Sequence, residues 1–168
     1  IVRDIKNNKN FIVQPYENPN VAVSREFIKC SNSTITVLDE NIHGMIFDDC
    51  EKIKIDCEKD YRVLTVEDCN DCEFTGGDRC LIGQFENGKN LKIRINGKHN
   101  SVFFTKNATN VTLIVEGTDI VYNLNENEPY RENENHSKKL VHHMVVFNSL
   151  KQTFQTFIFR VEVQSETR

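Results

Sequence analysis

The sequence predicts an all-β solenoid of about five turns, because three columns of residues recur every nineteen or twenty positions from Phe27 to Val115. An apolar residue leads each strip, at Phe27, Phe47, Val66, Phe85 and Phe104. Three positions later comes a turn residue: Cys30, Cys50, Cys69, Gly88 and Asn107. Alternating triplets close the strips: Ser33/Ile35/Val37, Ile53/Ile55/Cys57, Cys72/Phe74/Gly76, Leu91/Ile93/Ile95 and Val111/Leu113/Val115. A unit of this length cannot bury its apolar face alone, so the units must stack. Apolar residues alternate with period two and show no 3.6-residue stripe, so the stack is made of strands.

Ahead of the strips, Asn10-Phe11-Ile12-Val13-Gln14 reads as a first strand and Pro15 to Pro19 as a turn. After them, 123–137 is polar and acidic and reads as a mobile loop. Two strand-like runs follow, Leu140 to Phe147 and Thr153 to Gln164, joined at 148–152. They form a β-hairpin in which Phe157, Phe159, Val161 and Val163 share one apolar face. The single domain thus divides into a β-helix over 1–122, an acidic loop over 123–137 and a hairpin over 138–168. An isolated hairpin is marginal in water. This one either folds back over the open end of its own solenoid or pairs with a second chain. A loop beside an edge-pairing element favours the exchanged homodimer, with Phe157, Phe159, Val161 and Val163 at the interface. The strips themselves are expected to bury their core without the hairpin.

Composition narrows the function. The 168 residues carry 25 acidic and 21 basic side chains, a formal net charge of −4, with no global signature for nucleic acid. No run of eighteen apolar residues is present, so no membrane span is expected. Asn is abundant, a bias that an A+T-rich genome would also produce, and the start at Ile1 reads as trimmed. Of the six cysteines, Cys30, Cys50 and Cys69 share one column and read as reduced, buried packing residues. Cys69-x-x-Cys72 lacks a second ligand pair, since Cys80 and His99 are not suitably spaced, so no metal is expected. His142 and His143 are adjacent on a strand and point to opposite faces. The sequons at Asn32, Asn107, Asn110 and Asn135 read as products of the Asn-rich composition, and Asn32 and Asn107 fall at strip turns.

A solenoid offers flat sheets that suit large partners. On the triplet strands, Lys52, Lys54, Lys92 and Arg94 point outward, with Thr36 and Thr112 at either end and Glu73 between. They form either a partly basic stripe that steers an acidic protein or a solvated face. A glycosidase-like reading would use Asp48, Asp49, Asp68 and Asp71, but the chain has no Trp to build a sugar groove.

Several segments resemble the C-terminal domain of cyclase-associated protein, an actin-monomer regulator. These are Lys9 to Val13 with Tyr16-Glu17-Asn18, Phe27 to Ile35, Ile42 to Lys52, and Phe103 to Asn107. The resemblance spans 9–125 and is strongest over 27–55. It implies a right-handed parallel β-helix of five to six coils with a C-terminal β-hairpin. It also implies a cytoplasmic, cytoskeleton-associated protein, not an enzyme, without cofactors. Such a protein binds ADP-loaded monomeric actin, promotes nucleotide exchange and dimerises through its C-terminal strands. Leu38 to Asn41 stands where that family carries Lys-Gly-Lys, the family's Pro-Glu-Gln segment has no counterpart, and 126–168 is only loosely similar. The related tubulin-cofactor-C-like domains share the coil repeat and act through an arginine finger on a GTPase. The equivalent stretch, Cys80 to Phe85, offers Gln84 and no arginine.

Overall fold

The computed structural model describes residues 1–75, 82–124, 131–132 and 137–164, the side chains of 131–141 and 160–164 excepted. Every regular element among them is a β-strand. Strands β1 (Val2–Arg3) and β2 (Phe11–Val13) begin the stack; β3 (Val23–Ile28) and β4 (Ser31–Val37) make the next coil. Coils of β5 (Ile42–Asp48) with β6 (Glu51–Cys57), and β7 (Val63–Glu67) with β8 (Asn70–Thr75), follow. In β9 (Ile82–Ile95) and β10 (Ser101–Val115) the strand runs unbroken through the corner. Two parallel stacks result. The first face runs β1-β3-β5-β7-β9-β10 and the second β2-β4-β6-β8-β9-β10, with β9 and β10 belonging to both. The architecture is a β-solenoid of about five turns.

Register explains why the repeat is legible. Phe27 lies opposite Phe47, Phe47 opposite Val66, and Val66 opposite Phe85, all inward and buried. The corner cysteines Cys30, Cys50 and Cys69 are buried in one column, as the sequence predicts. The fifth strip differs by one residue. Phe85 pairs with Thr105 and Gly88 with Ala108, so Phe104 is not the lead residue and Asn107 is not the inward turn residue. Strand alternation can send only one of two consecutive phenylalanines inside. Phe103 goes in because its Cδ1 lies 2.7 Å from where a Cβ on Gly83 would be: the ring fills the space the glycine leaves. Phe104 is consequently turned outward.

Each corner is built from two residues three apart in the left-handed region: Asp4 and Asn7, Lys29 and Asn32, Asp49 and Lys52, Asp68 and Asp71, Asn87 and Asn90, Asn107 and Asn110. Asn and Asp tolerate this conformation better than other non-glycine residues. Their amides also bond down the stack. Asn32 donates to Asn7 at 2.9 Å, Asn107 to Asn87 at 2.8 Å, Asn110 to Asn90 at 2.7 Å and Asn90 to Asp71 at 2.8 Å. The expected placement of Asn32 and Asn107 at turns holds, and the corner accounts for part of the Asn richness. Residues 1–13, read from sequence as a lead-in with one strand, form a further coil: Val2 pairs with Phe27 and Phe11 with Ile35.

The segment after β2 is clamped. Asp39, fully buried, accepts two hydrogen bonds from the Arg25 guanidinium, both 2.7 Å, and a third from the Tyr16 N–H at 2.8 Å. Arg25 also donates to the Gln14 carbonyl at 3.2 Å. Burial pushes the Asp39 carboxyl up, but the bonds from Arg25 and Tyr16 and the guanidinium charge outweigh it and hold the group below its ordinary 3.8. A carboxyl depressed in the folded state stabilises above its unfolded pKa, and that stabilisation is lost as pH falls through the folded value. Asp39→Asn is therefore expected to lower the melting temperature fully above about pH 5, with the gap to wild type closing below pH 3.8. Melting curves between pH 2 and pH 7 check this, and a gap constant across that range would remove the ion pair as its cause.

The chain closes the other end with its last strands. Strand β11 (Val121–Leu124) pairs antiparallel with the second half of β10. Strand β12 (Arg131–Glu132) pairs with β13 (Ser137–Asn148), which also pairs with the first half of β10 and with β14 (Thr153–Gln164). The hairpin thus appears close to its predicted bounds and lies on the chain's own last coil. The expectation that the strips bury their core unaided is not met. Val145 and Phe147 are buried beneath the last coil, and Phe154 packs on Phe147 and Tyr122 at centroid distances of 4.9 and 5.1 Å. The Tyr122 hydroxyl is hydrogen-bonded to that of Thr156. Gly97, at φ +78°, leaves room for Phe147 and Val115, and its carbonyl accepts from the Gln152 amide at 2.9 Å. Of the loop read at 123–137, Asn123 and Leu124 end β11, 131–132 form β12 and Ser137 opens β13, while 125–130 and 133–136 lie outside the described residues.

Candidate functional site: two outer faces of opposite character

The outward column of the second face runs Thr34, Lys54, Glu73, Lys92, Thr112. Beside it runs Thr36, opposite Asp56, and then Thr75, Arg94 and Ile114. Lys54 and Lys92 are exposed and flank Glu73, while Arg94 reaches across to Glu73 with Nε–Oε1 at 2.8 Å. Burial raises the Glu73 carboxyl, but the bond and charge of Arg94, with Lys54 and Lys92, lower it on balance. The face therefore holds Lys54, Lys92 and Arg94 together around one carboxylate. Lys52, at a left-handed corner position, lines a shallow cleft with Lys9, Thr34, Lys54, Asp71 and Glu73. Lys52 and Lys54 thus share a cleft with Glu73, Lys92 lies opposite Glu73 on the next coil, and Arg94 is committed to Glu73.

The described cysteines pack in the core, with Cys50, Cys69 and Cys72 in mutual hydrogen-bonding contact. Cys30, Cys50, Cys57, Cys69 and Cys72 are all buried free thiols. Burial pushes Cys57 up to about 11, and hydrogen bonding with the Cys50 and Cys72 thiols, with burial, pushes Cys69 up as well. The raised values keep Cys57 and Cys69 protonated and weakly nucleophilic, whereas the hydrogen bond with Cys69 lowers Cys50. Among the described residues no group of three or more His, Cys, Asp or Glu is arranged to hold a metal ion. His142 and His143 do face opposite ways, His143 buried and His142 half-buried. Cys80, Gly76, and the sequon at Asn135 lie outside the described residues.

The sequence reading missed the outer side of the first face. Ile46, Ile82, Phe104, Phe157 and Phe159 expose 38, 43, 41, 39 and 48 % of their surface there. Phe104, Met144 and Phe157 lie side by side across β10, β13 and β14, beside Val102 and Val146. Of the proposed dimer residues, Phe157 and Phe159 thus point away from their own solenoid, and the side chains of Val161 and Val163 lie outside the described residues. One column over, Asp48, Glu67, Glu86, Lys106 and His142 stack in register. Ile46 carried a signal in the sequence, as an apolar residue flanking the lead Phe47, whereas Phe104 was itself read as a lead residue.

No family model matches this chain, and no curated protein matches its sequence.

Proposed function

We propose that this chain is an actin-monomer binding module that prefers ADP-bound actin and promotes its nucleotide exchange. The observation that carries this reading is the resemblance of Phe27 to Ile35 and Ile42 to Lys52 to cyclase-associated proteins. Those two segments fall on successive coils, β3–β4 and β5–β6, with their lead phenylalanines stacked in register. Exchange of this kind makes and breaks no covalent bond in the protein: preferential binding to actin with an opened nucleotide cleft suffices. Lys54 and Lys92, exposed on the second face, steer association with an acidic partner, and Arg94 with Glu73 fixes the patch between them. Two chains would dimerise by exchanging hairpins, each β13 taking the other chain's β10 in the register seen within one chain.

Fluorescent nucleotide release from ADP-actin tests the proposal. The chain is expected to accelerate release, and the Lys54→Ala/Lys92→Ala double variant to slow association about tenfold at low ionic strength with an unchanged melting temperature. An inert wild type that instead stimulates a small GTPase would move the assignment to the tubulin-cofactor-C-like reading. A wild type inert in both assays would leave a non-catalytic scaffold.

A further inference from the structure

We propose that the outer side of the first face is a second docking surface, for a basic amphipathic segment of another protein. One arginine of that segment would seat between Phe104 and the carboxylates of Glu67 and Glu86. Three observations lead there. The apolar surface is contiguous across separate strands: Ile82 and Val102 pair on β9 and β10, Phe104 meets Met144, and Met144 meets Phe157. Contiguous exposed apolar surface of this kind marks interaction sites, whereas single exposed apolar residues do not. A carboxylate column borders it, with Asp48, Glu67 and Glu86 in register and Asp49 and Asp68 exposed at the adjoining corner. Between stripe and column lies a cleft of about 210 Å³, lined by Thr65, Glu67, Gln84, Glu86, Phe104, Lys106 and His142 among others.

The cleft's chemistry selects the occupant. A guanidinium is planar, stacks on an aromatic ring and offers a fork of donors to carboxylates, which a lysine ammonium cannot match. Phe104 supplies the ring and Glu67 and Glu86 the acceptors. Glu86 pairs with Lys106, at 3.2 Å and with both side chains about 39 % exposed, a pair weak enough to yield to a better donor. A second copy of this chain fits less well. It would bring the same carboxylate column to the interface, with only Lys106 and His142 as basic groups among the described outward residues of that column. The second face has the reverse character, with lysines around Glu73. The two sides of the solenoid therefore suit partners of opposite charge, and the chain can bridge them. This surface is independent of the proposed actin contact at Lys54 and Lys92.

The test is an amide NMR titration of the full chain with a synthetic amphipathic peptide of about 15 residues, made of leucine and arginine. A matched leucine and glutamate peptide serves as comparison. The arginine peptide is expected to give saturable shifts at Thr65, Gln84, Lys106 and His142. Glu67→Gln and Phe104→Ala should each weaken binding about threefold to fivefold without changing the melting temperature. Lys54→Ala should leave peptide binding unchanged. Equal binding of the glutamate peptide would overturn the proposal, since only unspecific apolar adhesion would remain. So would shifts centred on Asp71 and Glu73, or the same amides shifting on dilution without peptide, which would assign the face to a second copy.

Discussion

Replacing Phe47 with Ala is expected to destabilise the chain by about 3–5 kcal/mol, the cost of emptying a fully buried phenylalanine site. The ring is completely enclosed, stacked on Phe27 at 4.8 Å and 7° and tilted against Phe74 at 4.9 Å. It therefore touches the coil above, and across the core the coil below. Neither neighbour can collapse into the cavity without breaking its own ladder. At roughly 2–4 °C per kcal/mol for a chain of this size, the melting temperature should fall by about 6–20 °C. Cys50→Ser should cost less, because the thiol already lies 3.6 and 3.5 Å from the carbonyls of Phe27 and Asp48, where a hydroxyl finds acceptors. Lys54→Ala, exposed on the second face, should be neutral. Equal melting shifts for the three variants would refute the inward and outward assignment.

Deleting residues from Ser137 onward is expected to do comparable damage by a different route. It strips the antiparallel partner from Ser101 to Lys106 and removes Val145, Phe147 and Phe154 from the end of the core. A bare edge strand above an opened apolar core templates aggregation. The truncated chain should bind a hydrophobic dye, melt well below wild type and scatter light at micromolar concentration. A soluble, monomeric truncation with the wild-type melting temperature would show that the coils close their own core after all.

Much of this was legible because a solenoid repeats its physics once per turn. Phe27, Phe47, Val66 and Phe85 occupy equivalent sites, so one pattern read four times identified the lead column. It failed at Phe104, where the fourth-to-fifth step is one residue longer than the third-to-fourth and Phe103 answers a vacancy left by Gly83. No local pattern marks such a pairing twenty positions apart. The N-terminal coil was obscured because Val2 and Ile5 sit among Arg3, Asp4 and Lys6, with too few apolar residues to set a period. Lys29 and Lys52 hide half of their corners, since lysine carries no sequence hint of a left-handed backbone. The Arg25–Asp39 clamp spans fourteen positions and joins two side chains that each read as surface. The site was harder still. Lys54, Lys92 and Arg94 were visible as outward charges, but the bond between Arg94 and Glu73 depends on register between neighbouring coils.

The paired left-handed corners also govern how such a chain can change length. Every one of these corners repeats the same two backbone settings three residues apart, and four of their amides bond to the equivalent residue one turn away. A duplicated or lost segment of one full turn returns both settings to phase, so the neighbours meet a backbone they already match. A shorter insertion has nowhere to go among the stacked strands and must bulge out through the connecting loops. Growth by whole turns is thus nearly free of new constraints. The terminal closures, the Asp39 clamp at one end and the Phe147–Phe154 plug at the other, need be invented only once however many turns lie between them.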